Sequence, residues 1–459
     1  MITINFLGVK SMNKKYKDIL NKLISSYYND NFDKEVEKIL KSNDFSNETL
    51  KHIISSLCGV SVPEGDNFIY NLKKSITDYS VKTKLVEKIS KCNSCNTDIN
   101  SKTICQKACP FDAILKDSKN NNIYIDNNLC TDCGICVSSC DDGHYLEKIE
   151  ILPLLELLKN NTKVIATVAP AIIGQFGENV SMDQLRTAFI KLGFTDMIEV
   201  AFAADMLTIK EACEFNSHIN SFNDLLITSC CCPMWIGMIK GVYSSLVKHV
   251  TPSVSPMIAA ARVIKYLNSD VKIIFIGPCI AKKAEAREKD LIGDVDLVLT
   301  FEEVKGLFET LNIDPSQLQE TVTSEYASRC GRLYAKANGV TKAINDAVKE
   351  LYPDKASLFK GKSASGVKSC KELLTEIQSS NTKFNFIEGM GCIGGCVGGP
   401  KKLIDTNNGT KYVKEFAYSS PIKIPTHSDI IIDLFKRLGI NDFEDLLDEE
   451  KTKIFHRNF

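Results

Sequence analysis

The residues that could do chemistry in this chain are its cysteines, 18 in 459 residues. Cys130-x-x-Cys133-x-x-Cys136-x-x-x-Cys140 has a telling spacing. Thiolates two residues apart reach neighbouring irons of one cubane, and a fourth after a longer gap ligates the other cluster of a pair. Upstream lies Cys92-x-x-Cys95, then nine residues, then Cys105-x-x-x-Cys109-Pro110. The eight ligands suffice for two 4Fe–4S clusters. Cys92, Cys95, Cys105 and Cys140 are expected on one, and Cys109, Cys130, Cys133 and Cys136 on the other. Zinc knuckles also use CxxC pairs, but eight cysteines in two such runs favour iron–sulfur.

A second group follows strand-like runs. "LLITSCCCPMW" carries Cys230, Cys231 and Cys232; "IIFIGPCIAKKAEA" carries Cys279, with Lys282 three residues on; "FNFIEGMGCIGGCVGGP" carries Cys392 and Cys396. One thiolate from each of two loops and two from the third make a further cubane site. The last loop also contains Gly389-x-Gly391-x-x-Gly394, a literal dinucleotide fingerprint. That reading needs a helix opening at the third glycine, and Gly398, Gly399 and Pro400 leave little room for one.

The elements that must position these loops are legible from periodicity. From residue 163 onward, continuous apolar runs ("KVIATVA", "MIEVAF", "DLLITS", "VKIIFIG", "DLVLT", "FNFIE") alternate with helical ones ("MDQLRTAFIKLG", "SPMIAAARVIKYL", "GVTKAINDAVKEL"). This predicts an α/β fold over 151–425, with mostly parallel, buried sheets flanked by helices; the family resemblance carried by the three loops implies that it is a two-lobed catalytic domain. Ligand sites collect at the carboxyl ends of such strands. A small α+β domain with the two clusters is expected over 86–150, a helical N-terminal appendage over 1–85, and a helical C-terminal extension over 426–459 packing on the catalytic domain.

Composition sets limits. With 56 basic against 57 acidic residues the net charge is −1, so nothing points to nucleic acid. No apolar run is long enough for a membrane span, and "MITINFLGVKSMNKKYKDIL" lacks the apolar core of a signal peptide. The expected setting is the cytoplasm, where thiols serve metals rather than disulfides.

"TSCCCPMW", "PCIAKKAE" and "EGMGCIGGCVGGP" resemble the three signature motifs of the iron-only (FeFe) hydrogenases, and the resemblance extends over roughly residues 90–425. The upstream segment resembles a two-cluster ferredoxin, with seven extra residues between its second and third ligands. The tripled cysteine and altered loops resemble the group B branch found in anaerobic bacteria. The resemblance implies an H-cluster: a 4Fe–4S cubane on Cys232, Cys279, Cys392 and Cys396, bridged through Cys396 to a diiron centre with carbon monoxide, cyanide and azadithiolate ligands. It implies that Cys231 passes protons, a role that Cys230 takes instead if the loop bends differently, that Lys282 holds a cyanide, that Met390 packs beside the diiron centre, and that Ala169, Pro170 and Ala171 line its cyanide side. It also implies reversible oxidation of dihydrogen, a ferredoxin or similar low-potential carrier as partner, and maturation proteins that deliver the diiron centre.

The departures are specific. Gly277 stands where the second motif usually has methionine. Aligned on Leu207-Thr208-Ile209, the glutamates of the family's "GADLTIMEEGTE" proton-exit run fall on Ala212 and Phe215, which carry no proton. Glu211 and Glu214 are then expected on a solvated helix face and Lys283 in solvent. His144 is expected at the surface, Glu285 is a weaker proton-transfer candidate, and Cys58, Cys213, Cys330 and Cys370 are expected as buried structural thiols. The rival readings are a non-catalytic iron–sulfur assembly relative, a dihydrogen sensor, and a dinucleotide-dependent oxidoreductase.

Overall fold

The computed structural model describes residues 12–42, 45–80, 84–92, 102–119, 121–160, 162–229, 231–323, 327–379 and 383–459. Cys95 and Cys230 therefore lie outside the described residues. Two parallel sheets carry the larger part of the chain. The first has the order β6-β5-β8-β9, from β5 (Lys163–Val168), β6 (Asp196–Glu199), β8 (Val271–Gly277) and β9 (Leu297–Thr300). β5 lies at its centre, in register Ile165↔Asp196 on one side and Ile165↔Ile273 on the other. The second has the order β10-β11-β7, from β7 (Leu226–Ile227), β10 (Gly361–Ser365) and β11 (Phe386–Met390). Five of six residues in β5 are buried. Helices cover both faces, so a strand such as VKIIFIG is apolar throughout rather than alternating.

The helices begin where local chemistry allows it. Ser181 and Gln184 close a capping box on Met182–Leu192, and Thr300 and Glu303 do so on Phe301–Thr310. Pro256 opens Pro256–Leu267. The Ala201–His218 helix is different: 14 of its 18 residues are buried, so it runs through the interior with its polar side chains enclosed.

Residues 86–150 form a small antiparallel unit. β1 (Val86–Lys88) pairs with β4 (Tyr145–Glu147), and β2 (Ile114–Lys116) with β3 (Ile123–Ile125). Two five-residue helices, Ile104–Ala108 and Ile135–Ser139, carry Cys105 and Cys136. The N-terminal helices Lys14–Tyr28, Phe32–Leu40, Asn47–Leu57 and Phe68–Thr77 do not stand apart as an appendage. Their buried Leu, Ile, Val and aromatic residues belong to the same apolar core as β5, β8 and β9. The C-terminal segment packs back on the same core through Ile431, Phe435, Leu446 and Phe455. Among the described residues no helix is long and apolar enough to cross a membrane.

Candidate active site

Each cysteine loop leaves the carboxyl end of a parallel strand. Cys231 and Cys232 follow β7, Cys279 follows β8, and Cys392 and Cys396 follow β11. Both sheets thus send loops to one place. The backbone N–H of Gly391 donates to Cys232 Sγ at 3.2 Å. Burial pushes the Cys279 thiol up to about 11, reinforced by Cys232. Burial also raises Cys392 and Cys396 well above the usual range, with Cys279 and Cys232 adding to it in both. Four thiols gathered at the ends of three strands, three of them raised by desolvation, form a donor set that suits a metal cluster. They fit a cubane.

Beside them is a cavity of about 50 Å³ lined by Ala169, Pro170, Ala171, Val200, Ala204, Cys231, Pro256, Met257, Phe275, Lys282, Tyr334, Ala335 and Cys396. It gathers Cys231, Lys282, Cys396 and the Ala169–Ala171 turn. Met390 is not among the lining residues; it is buried at the end of β11 and sits beneath the third loop, with its Sδ against Gly395. Phe275 explains the glycine at 277. A Cβ on Gly277 would lie 2.6 Å from a ring carbon of Phe275, so this ring occupies the space that a larger residue at 277 would take. Phe275, Tyr334, Met257 and Val200 escape sequence reading because they are ordinary apolar residues far apart in the chain.

Lys282 is buried, and its Nζ donates to Glu285 Oε2 at 2.6 Å. Burial opposes its charge, but the Glu285 carboxylate outweighs this and holds the lysine above its ordinary value. Lys283 is not in solvent as expected. It is 1% exposed, donating to Glu303 Oε1 at 2.7 Å and to the Lys148 carbonyl at 2.8 Å.

The expectation for the proton-exit helix is also corrected. Ala212 and Phe215 sit in an apolar cluster with Phe386 and Met390. Glu211 and Glu214, far from a solvated face, are 0% and 4% exposed. Glu211 Oε1 accepts from Thr228 Oγ1 at 3.0 Å and Thr251 Oγ1 at 3.4 Å. Desolvation, reinforced by Glu214, raises its carboxyl to about 8.

Cys109, Cys130, Cys133 and Cys136 line a single cavity. The expected partners of the other cluster also draw together: Tyr145 donates its hydroxyl to Cys105 Sγ at 3.4 Å and lies within charge range of Cys92 and Cys136, and His144 N–H donates to Cys140 Sγ at 3.3 Å. His144 itself is partly buried, its Nδ1 2.7 Å from Ser90 Oγ, rather than on the surface. Gly134, at φ 76°, presses against Ile280, the residue after Cys279. Cys133 in turn feels the charge of Cys279. The order in space is therefore Cys105 and Cys140, then Cys133, then Cys279. Cys58, Cys213, Cys330 and Cys370 are buried away from these ligand loops or behind them, each with a thiol raised by burial.

The family described as iron only hydrogenase large subunit, C-terminal domain, matches residues 162–400, over half of the chain. The chain belongs to that family. It is 26% identical over 371 residues to the NADP-reducing hydrogenase subunit HndD of Solidesulfovibrio fructosivorans, covering 68% of this chain and 63% of that one. It therefore spans just under two thirds of that relative's length. It is also 24% identical over 228 residues to the cytosolic Fe-S cluster assembly factor NAR1 homolog of Schizosaccharomyces japonicus, covering 42% of this chain and 44% of that one. The fold is that of an [FeFe]-hydrogenase, HydA1 from Chlamydomonas reinhardtii, at 21% identity and a TM-score of 0.55, covering 65% of this chain and 94% of that one. In this iron-only hydrogenase relative no helix opens at Gly394: β11 passes into a short turn at Cys396–Gly398, and the next helix starts at Thr406. The glycines wrap the cysteine loop and form no nucleotide cradle.

Proposed function

We propose that this chain is a hydrogenase that interconverts dihydrogen with two protons and two electrons. The observation that carries this reading is the cavity in which Cys231, Lys282 and Cys396 meet beside a four-thiol site. A purely scaffolding role has no use for such a cavity. Cys232, Cys279, Cys392 and Cys396 would hold the cubane, and Cys396 the diiron centre as well. That cofactor supplies the site at which the H–H bond is made and broken. The Lys282 ammonium faces the cavity as a donor suited to an anionic ligand. Ala169, Pro170 and Ala171 exclude water from its far side, and Met390 backs the third loop.

Among the described residues Cys231 is the cavity thiol outside the ligand set, and it hands protons on toward Glu211, which accepts from Thr228. Glu211 Oε2 is buried with no hydrogen-bond partner, so it has a vacant acceptor for the proton. Electrons leave by way of Cys279 and the cluster on Cys109, Cys130, Cys133 and Cys136. The outer cluster, on Cys92, Cys95, Cys105 and Cys140, then delivers them to a ferredoxin or similar carrier. The potential of such clusters is set by net charge, hydrogen bonds to sulfur and solvent exposure, which can bring them down to the dihydrogen couple. Free thiols throughout suit a reducing cytoplasm, and maturation proteins would deliver the diiron centre.

The second reading is an assembly factor, favoured by the likeness to the NAR1 homolog. Infrared spectra of anaerobically matured protein decide between them: metal-bound carbonyl and cyanide bands are expected, and a protein without them is a scaffold. Cys231→Ala is expected to keep its iron and those bands while losing about 100-fold or more in turnover. Unchanged turnover would move the proton role elsewhere.

A further inference from the structure

One peptide group ties the third cysteine loop to the first. β11 ends at Met390, and the peptide joining Met390 to Gly391 carries its N–H onto Cys232 Sγ at 3.2 Å. Gly391 comes this close because it has no side chain. A Cβ there would lie 2.3 Å from Cε of Met234, two residues after Cys232. The carbonyl of the same peptide is held from its other side by two donors. Gly366 N–H reaches it at 2.8 Å, continuing the β10–β11 ladder past Ser365↔Met390. Cys370 Sγ reaches it at 3.4 Å. Ser365 Oγ also accepts from Gly394 N–H at 3.4 Å, so the end of β10 fixes the loop at two points.

Cys370 lies in the first turn of the helix Val367–Gln378 and is fully buried. A buried cysteine is ordinarily a small apolar filler with a weak S–H donor. Cys213 and Cys330 fit that description, with their thiols directed at the carbonyls of Phe443 and Lys423, outside the ligand loops. Cys370 differs. Its nearer acceptor is the Met390 carbonyl, and the Ala364 carbonyl is farther, at 3.7 Å. A carbonyl that accepts a hydrogen bond polarises its peptide group and strengthens the N–H at the other end, by about 10–30% per bond. Here that N–H is the donor to Cys232.

We propose that the Met390–Gly391 peptide sets the reduction potential of the cubane on Cys232, Cys279, Cys392 and Cys396, and that Cys370 is a positioning residue acting through it. This rests on the ligand set of the proposed function and not on the diiron centre. One-electron reduction makes the cluster sulfurs more negative. A donor on Cys232 Sγ therefore favours the reduced form and holds the potential up. Losing the Cys370 thiol weakens that donor and lets the potential fall.

The test uses the full chain loaded with iron and sulfide but not with the diiron centre. Its clusters are titrated potentiometrically and followed by electron paramagnetic resonance. Cys232→Ala identifies the component that belongs to this site. In Cys370→Ala and Cys370→Val the reduced-to-oxidised ratio of that component, at a fixed applied potential, is expected to fall about 3-fold. This corresponds to roughly 30 mV, at about 59 mV per tenfold for one electron. The other components stay where they are. Alanine and valine differ in volume but both lack a donor, so an equal fall in the two separates hydrogen bonding from packing. Cys370→Ser keeps a donor and moves the potential less than either. A second reading begins with the unsubstituted chain. Grown with ¹⁵N-glycine, its reduced cubane should show coupling to a glycine nitrogen in pulsed spectra, and the coupling should weaken in Cys370→Ala. An unmoved potential in Cys370→Ala, a serine variant that shifts as far as alanine, or a missing glycine coupling would overturn the proposal and leave the ligand set intact. If Cys232→Ala removes no component, the ligand set itself falls, and the proposal with it. Missing carbonyl and cyanide bands in matured protein would overturn the hydrogenase reading alone, because the titration needs no diiron centre.

Discussion

At the scale of single residues, the cysteines were legible because ligand chemistry fixes both type and spacing, whereas the cavity wall was not. Phe275 has no signal of its own; only the glycine two positions later hints that something else fills that volume. The pair makes a direct test. Gly277→Met should overpack against the ring and cost about 1–3 kcal/mol. Phe275→Ala should leave a void and cost about 3–5 kcal/mol. The double variant should be clearly more stable than the sum of the two, measured by denaturant unfolding. Glu211 gives a second test. Its carboxyl is raised from the ordinary 4.5 to about 8, chiefly by burial, so the folded state binds a proton that the unfolded chain has released between those values. Stability therefore falls as pH rises from about 4.5 to 8. Glu211→Gln removes this decline, and a thermal melt series across that range should be flatter in the variant even as turnover is lost. The burial of Glu211 and Glu214 was not legible, because carboxylates on a helix ordinarily face solvent; Asp205 shares their helix. That aspartate is fully buried and accepts from Ser328 and Gly331, a role few side chains can fill.

At the scale of elements, most strands and helices of the two sheets were readable because parallel strands covered on both faces leave unbroken apolar runs. β10 was not: GKSAS has too little apolar content, and it becomes a strand only because β11 offers it a ladder of partners from Gly361↔Phe386 to Ser365↔Met390. Tertiary pairing overrides propensity there. The junction between Gly134 and Ile280 is a further element-level feature without a sequence signal. A Cβ at Gly134 would lie 2.5 Å from Ile280, on a backbone at φ 76°. Gly134→Ala should therefore cost about 1–3 kcal/mol and push the Cys130–Cys136 turn away from the Cys279 loop. Re-oxidation of that cluster after a flash of reductant should slow, followed by electron paramagnetic resonance, while carbonyl and cyanide bands stay in place.

At the scale of the whole molecule, buried ion pairs join the small antiparallel unit to the two parallel sheets and their helices. Lys401, directly after the third cysteine loop, meets Glu147 at 2.5 Å and Glu302 at 2.7 Å. Arg287 meets Glu150 at 2.6 Å, and Lys283, paired with Glu303, donates to the Lys148 carbonyl at 2.8 Å. Composition gave no warning of this, since a balanced charge count does not say which charges go inside. Removing one member strands its partners, so Lys401→Met should lower stability by about 3–5 kcal/mol, measured as a drop in melting temperature of the unmatured protein. The same joint has an evolutionary side. Val86 and Glu147 face each other across β1 and β4, so the cluster-bearing stretch leaves the body of the protein and returns to it at one spot. Its ion-paired anchors, Glu147 and Glu150, lie at the return point. A chain built this way can lengthen, shorten or exchange the cysteine-rich stretch, as the nine residues between Cys95 and Cys105 show, without redrawing the cavity between the sheets. The two can thus be inherited as separately replaceable parts, and a short hairpin spliced between positions 86 and 147 is the natural starting point for a minimal version of this protein.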